Sequence, residues 1–341
     1  MNWSIEPITL DLRYTWKISR NASDLKTNLI VKFDDGKFSG RGEAAPNVRY
    51  HESAEEGLKV FEKISPELEL VQDLASLRNL LKDQNVFKAL SFAIESAWIH
   101  RQSAREGRTV SNLLGIPDSG EVGISYTIPI MDTGLIKTFY SENRLDRFPF
   151  IKLKVNHEDA YESLRYLLTF CNKPVMVDAN ESFIDVEQCI YWMEKIRRLP
   201  LVFIEQPMPA TSNRADMAWL KERPPMPIFG DESYHHAGDV DLAAECFHGV
   251  NVKLVKTGGI SGAYEALRAA RQRGLQTMIG CMIESSVLIT AAAHLAELAD
   301  HLDIDGNILI NNDPYLGATT EKGIMSFANT PEKFGLRVRP R

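Results

Sequence analysis

The sequence predicts an α/β protein in which a barrel of parallel strands follows a smaller α+β domain, and three observations carry that prediction. Short apolar, β-rich runs recur through the second half of the 341 residues, eight in all, with starts 28, 24, 27, 26, 23, 26 and 25 residues apart. The stretches between them, such as Glu158 to Leu168 and Glu187 to Ile196, have helical periodicity, so each repeat reads as a βα unit. The runs are apolar enough to be buried on both faces, which favours a closed (β/α)8-type barrel over an open doubly wound sheet.

The elements follow in chain order. Alternating runs at Ser4 to Leu12 and Asn28 to Phe33 surround Asp34-Asp35-Gly36, a hairpin turn. Glu52 to about Leu114 is helical by period, which makes residues 1–120 an α+β domain. The barrel occupies 121–322, with strands expected in VGISYTIPI (122–130), FIKLKV (150–155), PVMVDA (174–179), LVFIEQ (201–206), PIFGDES (227–233), VNVKLV (250–255), QTMIGCM (276–282) and HLDIDG (301–306). The segment 323–341 lacks a βα unit, contains a short β-like run, and is expected to return to the first domain.

Composition narrows the function. Lys+Arg number 39 against 46 Asp+Glu, for a net charge of −7, which argues against nucleic acid or an anionic membrane and for a small-molecule partner. Cys171, Cys189, Cys246 and Cys281 form no CxxC pair and read as reduced thiols. The first twenty residues contain no apolar run of signal-peptide length, so a soluble, cytoplasmic protein is expected, with a homo-oligomer left open by the sequence.

In such a barrel the chemistry lies at the C-terminal strand ends. Those ends are polar and in phase. Lys152 and Lys154 share one face of strand two, Asp178 and Asn180 follow strand three, and Glu205, Asp231 and Lys253 end strands four to six. Three carboxylates on successive strands, Asp178, Glu205 and Asp231, with no His or Cys joining them, suit a hard divalent cation, namely Mg²⁺. Strands two and six stand on opposite sides of a ring of eight, so a substrate carbon between their lysines can lose a proton to one and gain one from the other, inverting a stereocentre. A lysine base must be neutral, and the like charge of the Lys152 and Lys154 pair is one cause of a lowered pKa.

These residues resemble the enolase superfamily, and within it the muconate-lactonizing subgroup with its KxK motif. The resemblance runs from GRGEAAP (40–46) through FIKLKV, VDANESF, FIEQPMP, GDES and VNVKLVKTGG to GCMIES and DIDG. It implies an α+β cap on a (β/α)7β barrel, Mg²⁺ held by Asp178, Glu205 and Asp231, acid–base catalysis by Lys154 and Lys253, and Lys152 as helper. Lys253 is preferred to Lys256, which leads into the Gly258-Gly259 turn. DIDG is similar to the dipeptide epimerases, in which such a pair, here Asp303 and Asp305, holds the substrate α-ammonium. The implied reaction is epimerisation of a dipeptide at its C-terminal residue through an enolate, with L-Ala-D/L-Glu as leading substrate and peptidoglycan recycling as context. The alternatives are an o-succinylbenzoate synthase or an N-acylamino acid racemase of the same subgroup, whose substrates lack the ammonium.

Further substrate contacts are expected from Arg20, which the resemblance implies as the partner of a glutamate carboxylate because it stands about where dipeptide epimerases acting on L-Ala-D/L-Glu keep an arginine, and from Thr127, Met282 and Glu284. Tyr50 and His51, after GEAAP, are candidate cap contacts. His235 and His236 are expected as loop residues, and Cys281 as a small pocket residue rather than a nucleophile.

Overall fold

A computed structural model describes residues 2–18, 21–223, 226–330 and 332–341. The cap is a three-stranded antiparallel sheet, Asn2–Ile18, Asn21–Asp34 and Ser39–Ala44, covered by helices Ala54–Leu68, Leu74–Asp83 and Lys88–Arg105. The turn forms where the sequence places it, with Gly36 at φ +85° and its N–H donating to Asp34 Oδ1 at 2.8 Å. Ser53 and Asp73 start the first two helices by accepting from Glu56 N and Ser76 N. Gly40 and Gly42 let the third helix lie directly on the sheet, since a Cβ at Gly42 would fall 2.0 Å from the Ala93 carbonyl oxygen. Trp3, Phe33 and Trp98 stack in the core between them, with centroids 4.2 and 5.1 Å apart.

Eight parallel strands follow in sequential order: Ser125–Ile128, Phe150–Lys154, Val175–Asp178, Leu201–Glu205, Ile228–Gly230, Gly249–Lys253, Gln276–Gly280 and His301–Asp303. A principal helix follows each strand except the eighth, which gives the (β/α)7β arrangement. The seam between strands one and eight is bridged by side chains: Ser125 Oγ donates to Asp303 Oδ1 at 2.6 Å, and Thr127 N donates to Asp305 Oδ2 at 2.7 Å. Met176, Phe203, Phe229 and Met278 form a separate buried cluster, with Phe203 and Phe229 stacked at 4.0 Å.

The expected first run, 122–130, divides. Its barrel strand is only Ser125–Ile128, because Val122–Gly123 pairs antiparallel with Ile324–Ser326 in another small sheet. The C-terminal segment also meets the cap, where Val110 N donates to Gly335 O at 3.1 Å and Gly335 N to Arg108 O at 2.8 Å. Among the described residues no helix is long and apolar enough to cross a membrane.

Candidate active site

Strand register aligns the predicted residues in two rows near the C-terminal strand ends. Lys154 is paired with Asp178, which is paired with Glu205, while Lys253 is paired with Gly280, which is paired with Asp303. These residues surround or underlie a cavity of about 720 Å³ between barrel and cap. Lys152, Lys154, Lys253, Thr127, Met282, Asp303 and Asp305 all line it.

Lys152 is 1% exposed, so the buried face of its strand is its environment rather than solvent. Its ammonium stands 2.7 Å from Asp303 Oδ2, 2.7 Å from Glu205 Oε2 and 3.1 Å from Asp178 Oδ2. Burial pushes its pKa down, but Asp178, Asp303 and Glu205 together hold it well above the usual lysine value. For Lys152 this corrects the expectation of a pKa lowered by its lysine neighbour: three carboxylates outweigh one like charge.

Lys154 donates to Asp178 Oδ2 at 2.6 Å and Asn180 Oδ1 at 2.9 Å. Across the mouth, Lys253 donates to Asp231 Oδ2 at 2.7 Å. Burial opposes the Lys253 charge, yet Asp231 and Glu205 hold its pKa well above the ordinary value. Lys256 follows in a helical turn and donates to Asp231 Oδ1 at 2.7 Å and to the Asp231 carbonyl at 2.5 Å. It does not line the cavity, whereas Lys253 does.

The three carboxylates are buried, and their surroundings shift them in different directions. Burial raises Asp178 and Asp231, but neighbouring lysines more than offset it and hold both well below the usual range. Glu205 is pushed up to about 8 by burial, with Asp178 adding to the shift. Its Oε1 accepts from Asn251 Nδ2 at 2.7 Å, while Oε2 has the Lys152 ammonium beside it but no hydrogen bond of acceptable direction. Among the described residues no three His, Cys, Asp or Glu side chains converge as they stand to hold a metal, and the Lys152 ammonium lies between Asp178 and Glu205. The donor set nevertheless fits a hard cation. It is all oxygen, and the buried Glu205 Oε2 lacks a hydrogen bond.

The two aspartates of the DIDG segment are not equivalent. Asp303 accepts from Lys152, from Ser125 and, at 3.1 Å, from Thr127 Oγ1, which keeps it ionised against burial. Asp305 Oδ2 accepts from Thr127 N, whereas among the described residues Oδ1 has the Cys281 thiol alone, with Sγ 3.8 Å away. Burial, then Asp303, pushes Asp305 up to about 7.

Of the remaining expected contacts, Arg20 lies outside the described residues. Glu284 is not on the cavity wall; it is 1% exposed and accepts from Met282 N at 2.8 Å. Tyr50 lines the cavity and meets the His235 ring edge-on at 5.4 Å, whereas His51 is exposed and off the wall. His235 pairs with the Glu232 carbonyl and His236 caps a short helical turn, so both are loop residues. Cys281 lines the cavity, and burial drives its thiol pKa well up, which disfavours a nucleophile.

Sequence reasoning did not find Lys26, Arg49 or Glu232 on the wall. Arg49 forms a bidentate pair with Glu181 at 3.2 and 3.0 Å, tying a cap loop to the loop after strand three. Lys26 donates to the Pro46 carbonyl. Alternation on the cap strand marks Lys26 only as polar, and nothing local in the sequence aims it at the barrel.

Residues 139–334 match the family model described as enolase C-terminal domain-like. The chain is 46% identical to an L-Ala-D/L-amino acid epimerase of Pedosphaera parvula, covering 98% of each chain. Its fold is similar to an enolase family member from Agrobacterium tumefaciens with homology to dipeptide epimerases, bound to sodium and L-Ala-L-Glu, at 26% identity and TM-score 0.86 over 96% of this chain and 98% of that one. It is also similar to a dipeptide epimerase from Cytophaga hutchinsonii complexed with Mg and D-Ala-L-Val, at 22% identity and TM-score 0.92 over 99% and 95%.

Proposed function

The chain belongs to the enolase superfamily, whose C-terminal domain model spans more than half of it, and on that premise we propose that it is a Mg²⁺-dependent dipeptide epimerase. The observation that carries the reading is the placement of Lys154 and Lys253 on strands two and six, with both side chains on the wall of one cavity and carboxylates set between them around the rim. Relatives that are epimerases support the isomerase class, and Asp305, on the cavity wall with Oδ1 accepting from the weakly donating Cys281 thiol, supports a substrate carrying an ammonium.

In this proposal the dipeptide lies across the cavity with its ammonium at Asp305 and its C-terminal α-carbon between the two lysines. One lysine takes the α-proton as the α-carbon becomes planar, and the other, entering the step protonated, delivers a proton to the opposite face. The reverse reaction exchanges their roles. Lys152 supplies fixed positive charge beneath the reacting carboxylate and holds Asp303 across the barrel seam. Asp178, Glu205 and Asp231 would hold Mg²⁺, which when bound supplies Lewis-acid polarisation of the substrate carboxylate and competes with the lysines for these oxygens. Arg49 pins the cap loop to the loop after strand three through Glu181.

L-Ala-D/L-Glu is the leading substrate, and the name of the Pedosphaera relative points to a wider choice of C-terminal residue. Leu25, Val48 and Ile283 supply an apolar wall for such side chains, and Lys26 a cation for an acidic one. Incubating L-Ala-D/L-Xaa dipeptides with enzyme and Mg²⁺ in D₂O tests the reading: deuterium should enter the C-terminal α-position as the epimer appears. A panel showing no α-exchange would refute it.

A further inference from the structure

Glu43, on the third cap strand, is 0% exposed and receives four donors on its two carboxylate oxygens. Oε1 accepts from Ser285 N at 2.9 Å and Asn28 Nδ2 at 2.8 Å; Oε2 accepts from Ser285 Oγ at 2.6 Å and from Leu288 N and Ser285 N, both at 3.2 Å. Ser285 immediately precedes helix Ser286–Ala293, whose first N–H groups lack partners within the helix. A carboxylate from the cap, 242 residues away in sequence, therefore completes the start of a barrel helix. Asn28 makes a second tie, donating to Glu43 and also to the Ile283 carbonyl at 2.9 Å.

The segment held by these contacts is the turn after strand seven, and Cys281, Met282 and Ile283 of that turn form part of the cavity wall. We propose that Glu43 is a positioning residue, which through Ser285 and Asn28 fixes the 281–283 wall in the shape that receives the dipeptide. The substrate half of this proposal rests on the dipeptide reading; the fixing of the wall does not.

Glu43→Gln is the discriminating change, because its NH₂ group faces at least two donors whichever way the amide turns. Alkylation of the folded, full-length enzyme, mapped by mass spectrometry, reads the wall directly: Cys171, Cys189 and Cys246 are buried and Cys281 is half-buried. Glu43→Gln should accelerate modification of Cys281 by at least about tenfold while the other three stay protected, as local opening requires. It should also raise KM for the dipeptide by about tenfold or more with kcat little changed, the pattern of lost binding rather than lost chemistry. Glu43→Asp should recover part of both effects.

Unchanged Cys281 reactivity, acceleration of all four cysteines together, or an unchanged KM in an active variant would each overturn the proposal. If Glu43→Gln does not fold, Asn28→Leu, which removes only the second tie, decides by the same two measurements. A wild-type enzyme inactive on dipeptides would defeat the functional reading and leave the cysteine result to decide the wall.

Discussion

Replacing Asp305 with Asn isolates the ammonium seat. Asp303 is already occupied by Ser125, Thr127 and Lys152, so among the described residues the more weakly held acceptor for an incoming ammonium is Oδ1 of Asp305, which accepts from the Cys281 thiol. A charge-assisted hydrogen bond contributes ~1.5–3 kcal/mol, which converts to a loss of about 10–150-fold in affinity for Asp305→Asn. The pH dependence supplies a second signature. Burial and Asp303 raise the Asp305 pKa to about 7, so below that pH the free enzyme carries a proton there that an ammonium ligand must displace. Wild-type affinity should therefore weaken about tenfold for each pH unit below this pKa, and weaken again as the ligand amine loses its proton near ~8. Calorimetric titration of the metal-loaded enzyme with L-Ala-D-Glu across this range is the assay. Asp305→Asn should lose the acidic limb and lie on a lower plateau. A variant within about threefold of wild type that keeps the acidic limb would refute the assignment.

Other consequences follow from the buried charges. Lys152→Met leaves Asp178, Glu205 and Asp303 without the ammonium that now stands within 3.1 Å of each, and should cost ~3–5 kcal/mol in thermal or urea unfolding of the metal-free protein. A loss below about 1 kcal/mol would show that the cluster is not held together by that charge. Chelation should abolish epimerisation, and Mg²⁺ should restore it and raise the unfolding midpoint, by ~2.7 kcal/mol of stabilisation at a hundredfold excess over Kd. Turnover persisting with metal below stoichiometry would remove Asp178, Glu205 and Asp231 from the metal role.

Much of this was legible in the sequence because it depends on period and phase. The near-constant spacing of apolar runs specifies repeated βα units, and a polar residue at the end of each run is placed at the rim by the period-two alternation of a strand. Lys154, Asp178 and Glu205 come level by register alone. Val122–Gly123 could not be separated from the first strand, since both segments are β-like and their partners, Ile324–Ser326 and the neighbouring barrel strand, lie far apart in sequence. For the same reason the pairing of Lys152 with Asp303, 151 residues on, was invisible, and with it the difference between Asp303 and Asp305. The Glu43 contacts lie across the cap and barrel, where no local pattern reports the partner.

The central claim, that two lysines serve opposite faces of one α-carbon, is tested most directly by α-proton exchange in D₂O with Lys154→Ala and Lys253→Ala, each given both epimers of L-Ala-Glu. Each variant should fail to epimerise, by about 10²–10⁴-fold or more, yet exchange the α-proton of one epimer, and the two variants should select opposite epimers. Equal exchange of both epimers by either variant, or the same preference in both, would contradict the account.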